Sequence, residues 1–137
     1  MEYIIESFDW IVIAFCGLQA IVFLQSGLDK VFNYSGNLEW LKGHFAESPL
    51  KNMVPLLLVL LTILELFAGV FSVGGILFAV GFLPLIVLKL AVIGSIKAYL
   101  ALFFGQRMAK EYEGAASLVP YFIVALIGAV YTFYLLG

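Results

Sequence analysis

Between Met53 and Phe104 the chain carries only three charged side chains, Glu65, Lys89 and Lys97. So long an apolar stretch exceeds a single bilayer crossing, which takes roughly 20 largely apolar residues. It has to fold back on itself within lipid, and as helices, because the hydrocarbon offers no water to satisfy open backbone groups. Trp10 to about Leu28 and Leu118 to Leu136 supply two more stretches of spanning length. Hydrophobic residues make up 64% of the 137 and charged ones 12%, about half of the roughly 25% usual in soluble proteins. A water-soluble domain of this size exposes too much surface to hide that much apolar area. The expectation is one all-α domain, an integral membrane four-helix bundle in a lipid bilayer.

Helices are expected at about 10–30, 53–72, 76–102 and 118–136. Acidic Glu2, Glu6 and Asp9 precede the first, and Gln25-Ser26-Gly27-Leu28-Asp29-Lys30 closes it. A removable signal peptide instead begins with positive charge and ends on small residues, so this helix reads as retained. Ser72-Val73-Gly74-Gly75 is the expected turn between helices two and three, since paired glycines punctuate a helical pattern. Pro84 would kink the third helix, and Pro120 would sit in the first turn of the fourth. In the polar connection, Leu38, Leu41 and Phe45 recur opposite Glu39 and Lys42. That spacing predicts a short amphipathic helix at the membrane surface, about 37–47, capped by Asn37.

Lys30, Lys42, Lys51, Lys97, Arg107 and Lys110 fall on the side of the first and third connections. The positive-inside rule then places both termini on the non-cytoplasmic side of a bacterial inner membrane. A weak repeat accompanies this order. Gly27-Leu-Asp-Lys30 corresponds to Gly94-Ser-Ile-Lys97, and Val54-Pro55 to Val119-Pro120. Two repeated helical hairpins would produce it.

Ionisable groups inside a span cost about 2.5 to 3.5 kcal/mol on insertion scales and call for a partner. Glu65 lies on a stripe of polar or small residues with Thr62, Gly69 and Ser72, a face suited to close helix contact. It reads either as a proton-carrying or ligand-binding carboxyl or as a structural one. Gln19, on a matching stripe with Cys16, Phe23, Ser26 and Lys30, could hydrogen-bond it. A Glu65–Lys89 pair would neutralise both charges. Glu65, Gln19 and Lys89 therefore form the candidate buried cluster. Lys30 reads as an anchor to lipid phosphate, or as part of a cytoplasmic-side polar cluster with Gln25 and Asp29. Gly94 with Ala98, and Ala125 with Ala129, are small-residue pairs that mark helix packing.

Several chemistries are excluded. A net charge of −2 without a long basic run argues against nucleic acid. Cys16 is the single cysteine, which removes any internal disulfide or dithiol pair. His44 is the single histidine, which leaves no pair of axial haem ligands and no zinc set. A stand-alone haem, zinc or dithiol enzyme is thus not expected, and no metal is.

The stretch Phe23-Leu-Gln-Ser-Gly27-Leu-Asp-Lys30, followed by Leu64-Glu65-Leu-Phe-Ala-Gly69-Val and Lys110-Glu-Tyr-Glu-Gly-Ala-Ala116, resembles the DoxX-like family of small four-helix bacterial membrane proteins. The resemblance implies a membrane subunit, in some relatives of quinone-linked sulfur oxidation, in others alongside partners in oxidoreductase complexes. Relatives that work through paired cysteines set a route this chain cannot follow. Three functions remain: an accessory subunit of a larger membrane complex or homo-oligomer, a quinone-binding subunit using Glu65, Gln19 and Lys89, and a small-solute or lipid transporter.

Overall fold

The computed structural model describes residues 9–137; Glu2 and Glu6 lie outside the described residues. The chain is an all-α bundle with four helices long and apolar enough to cross a membrane. Helix α1 spans Trp10–Phe32, α2 Tyr34–His44, α3 Val54–Ala79, α4 Leu85–Met108 and α5 Tyr112–Val130. Helix α5 continues as a π-helical turn over Tyr131–Leu136, and a single 3-10 turn, Lys51–Met53, leads into α3. Helices α1, α3, α4 and α5 are the spanning elements, and α2 is the short helix of the first connection. The protein is therefore a polytopic membrane protein, with lipid as the solvent of its outer face.

Each helix boundary has a local cause. Asp9 caps α1, its Oδ1 accepting the Val12 N–H at 3.1 Å. Only Asn33 separates α1 from α2, so the two meet at an elbow. Asn37, expected to cap the surface helix, lies inside it, because α2 starts at Tyr34. Its amide instead braces the elbow, donating to the Asn33 carbonyl at 2.8 Å and to Asp29 Oδ2 at 3.2 Å.

The turn between α3 and α4 is not at Gly74-Gly75. Helix α3 runs on to Ala79 and ends in a Schellman motif, with Gly81 at φ 96° and the Phe82 N–H bonded to the Leu77 carbonyl at 2.8 Å. Pro84 follows and caps α4 rather than kinking it. The glycine pair serves close packing. A Cβ at Gly75 would stand 2.6 Å from Cys16 Sγ, and one at Gly74 2.5 Å from Val87 Cγ1. Helix α4 ends in the same motif as α3, the Glu111 N–H reaching the Gln106 carbonyl at 2.8 Å, but here Lys110 takes the left-handed position at φ 62°. Because α5 begins at Tyr112, Pro120 is interior to it. There it removes the helical donor to the Ala116 carbonyl.

Packing follows chain order. Helix α1 lies chiefly on α3, α3 on α4 and α4 on α5. Helices α1 and α3 interlock: Leu24 covers Gly69, where a Cβ would meet its backbone nitrogen at 3.0 Å, and Leu66 covers Gly27. Gly94 sits against Phe67 and Ala68, and Gly128 against Phe15. Ala98 and Ala125 are buried in the same core as Phe23, Ala68 and Tyr99. A second core joins Val12, Phe15, Cys16, Ala79, Leu88 and Val92. Small residues bring backbones together where lipid provides no hydrophobic drive between helices. The complementary faces, with Ile21, Ile63, Val70, Ile93 and Ile127, are exposed and apolar.

Candidate functional site

Glu65 is fully buried near the middle of α3, and its partner comes from α1. Lys30 Nζ lies 3.1 Å from Oε1 and donates to Oε2 at 3.3 Å; the nearer oxygen takes no aligned hydrogen bond. A second ammonium proton goes to Ser26 Oγ at 2.7 Å. The Lys30 side chain retains 13% exposure. Its place in the last turn of α1 also sets its charge against the negative end of that helix. Antiparallel packing and the interlocked Leu24–Gly69 and Leu66–Gly27 contacts hold the two side chains at one level.

The Glu65–Lys89 pair does not form, and the reason is the displaced turn. Lys89 is four residues into α4, about 6 Å, whereas Glu65 lies fourteen residues, about 21 Å, from the end of α3 at that same turn. Lys89 is instead 5.7 Å from the centroid of the Phe133 ring, a cation–π contact at the opposite end of the bundle. Gln19 does not reach Glu65 either. Its Oε1 accepts a hydrogen bond from Tyr99 of α4. The three members of the expected buried cluster thus occupy three separate places. The expected cytoplasmic-side cluster divides as well: Lys30 turns inward, while Gln25 and Asp29 are exposed. Lys97, the repeat counterpart of Lys30, is also exposed.

Around Lys30 the structure assembles residues that sequence reasoning missed. Trp40 and His44 of α2 stack with centroids 4.5 Å apart, and His44 Nδ1 lies 3.8 Å from Glu111 Oε1. Together with Lys30, Asn37 and Gln106 they form the polar side of a cleft of about 210 Å³. Leu41, Phe45, Leu61, Ala101 and Gly105 form its apolar wall and also line a neighbouring groove of about 230 Å³, whose remaining lining includes Val54, Leu58, Leu64 and Phe104. The Gln106 Oε1 is buried and has no hydrogen-bond partner among the described residues. Trp40 and His44 share a helix face at a four-residue spacing, the one available signal. Gln106 had none, since its role depends on α4 reaching Met108.

The arrangement is chemically asymmetric. An ammonium has three donors, and two are taken by Ser26 and Glu65. Lys30 can therefore offer one donor to the cleft. The groove alongside is lined mainly by leucine and is apolar. Comparison with family models, with curated proteins and with solved structures gives no match to the chain.

Proposed function

We propose that this chain is a quinone-binding membrane subunit of an oxidoreductase complex, of the DoxX-like kind. One observation carries the reading: a polar cleft with a free donor at Lys30 shares a wall with an apolar groove. An amphiphile whose head accepts a hydrogen bond and whose tail is hydrocarbon matches those two features. A quinone supplies reversible electron and proton transfer when bound. The residues of the chain would orient it: Lys30 toward a ring oxygen, Trp40 and His44 along the rim. Glu65 is then a positioning residue, which fixes the Lys30 ammonium.

The accessory-subunit component has its own support. Helix α5 buries only Ala115, Ala125 and Gly128, which leaves an apolar face wide enough for a neighbouring subunit. In this reading the protein lies in a bacterial cytoplasmic membrane, with Asp9 and Leu136 at the non-cytoplasmic face and the lysine-rich end inside.

The test is gentle extraction of the native membrane followed by quantification of bound quinone by mass spectrometry. Wild type should carry quinone well above an empty-membrane control. Leu61→Trp, which fills the shared wall of cleft and groove, should lose most of it. Wild type no richer in quinone than the control, or a variant as rich as wild type, would end the quinone assignment, and recovery of partner proteins under the same conditions would leave the subunit assignment standing alone.

A further inference from the structure

A second polar constellation lies deeper, between α1, α3 and α4, away from the Lys30 cleft. Gln19, Ser72 and Ser95 come one from each helix and are 3%, 1% and 1% exposed. Gln19 Nε2, Ser72 Oγ and Ser95 Oγ are all without a hydrogen-bond partner among the described residues. All three residues line one small cavity, about 10 Å³, together with Phe15, Cys16, Ala91, Val92 and Ala125.

Polar atoms buried in a spanning bundle need partners, because lipid supplies none. A lone unsatisfied group has many local explanations, but three around a single cavity have one common one. A cavity holds a water once it has about 10–15 Å³ for the centre of a water-sized sphere, together with two to four polar partners. This cavity meets the lower end of that range and offers three. It is too small for any organic ligand.

We infer that the cavity binds a single water molecule, which hydrogen-bonds Gln19, Ser72 and Ser95 and so ties α1, α3 and α4 together within the membrane. Gln19 is held for this by its other end, since Tyr99 occupies the amide oxygen and leaves the amide nitrogen for the water. Water accepts from that nitrogen and donates to the serine oxygens, so each of the three unpartnered atoms gains a partner. The hydrogen-bonded chain then runs from Tyr99 through Gln19 and the water to both serines, with no solvent path required.

Two measurements test this. In an experimental density map at about 2 Å, a peak should stand within hydrogen-bond distance, about 2.7–3.2 Å, of Gln19 Nε2 and both serine hydroxyls. An empty cavity, or serine hydroxyls rotated to pair with helix carbonyls, would overturn the inference. Independently, Ser72→Ala and Ser95→Ala should each lower the melting temperature in detergent. Because both serines act through one water, the double variant should melt no lower than the worse single variant. Strictly additive shifts would overturn the inference, since they would show the two hydroxyls acting separately.

Discussion

The charges at positions 30 and 65 are each other's solvation. Removing one member of a buried pair typically costs about 3–5 kcal/mol, because the other is left uncompensated, whereas removing both costs far less. Lys30→Met and Glu65→Leu should therefore each destabilise the bundle strongly in a denaturant titration in mild detergent, and the double variant Lys30→Met/Glu65→Leu should recover a large part of the loss. If the double variant is as unstable as the sum of the singles, the pair is not a unit. The glycines give a second contrast. Gly75→Ala drives a methyl into Cys16 Sγ and Leu88, and overpacking of this kind costs about 1–3 kcal/mol. Gly17→Ala meets nothing within 4 Å. It should be neutral or slightly stabilising, by up to about 1 kcal/mol, through helix propensity alone.

At the scale of elements, helix ends decided what the sequence could and could not disclose. The number of spans was legible from hydropathy, since each apolar segment has only helix available to it in lipid. The stop of α3 was not. Gly74-Gly75 and Gly81 all look like punctuation, but a glycine needed for close packing and a glycine needed for positive φ are the same letter. The difference lies in what stands opposite, Cys16 and Val87 in one case and open space at Gly81 in the other. That displacement carried Lys89 away from Glu65, and the later end of α4, at Met108 rather than about 102, brings Gln106 into the cleft. The acid in helix two and the basic end of helix one were both visible; their pairing required the register of α1 on α3. The end of α4 offers its own prediction. Lys110 occupies a left-handed position that costs a side-chain-bearing residue about 1–2 kcal/mol. Lys110→Gly should raise thermal stability by up to about 1 kcal/mol, after allowance for the extra freedom of the unfolded chain. A fall in melting temperature would mean that the lysine charge matters more there than the backbone.

For the whole molecule, the two ends differ in charge as well as in architecture. One end holds Asp9, hydrogen-bonded through Oδ2 to the Tyr131 hydroxyl at 2.7 Å, beside the Gly81 turn. The other holds the α1–α2 elbow, Lys51, Arg107 and Lys110. With Cys16→Ser as background, a cysteine at Phe82, an exposed position of the same turn, should react with a membrane-impermeant maleimide added outside intact cells, and one at Lys51 only after the membrane is opened. The reverse pattern would invert the topology drawn from the lysines.

The pairing of Lys30 with Glu65 also bears on how the protein reaches its membrane. The two groups belong to the first and second spans, and synthesis runs from the N-terminus. By the time the awkward carboxyl of α3 emerges from the ribosome, its counter-ion already waits at the end of α1. The hairpin of these two spans is thus the smallest piece of the chain that the bilayer can accept with its deepest charge neutralised.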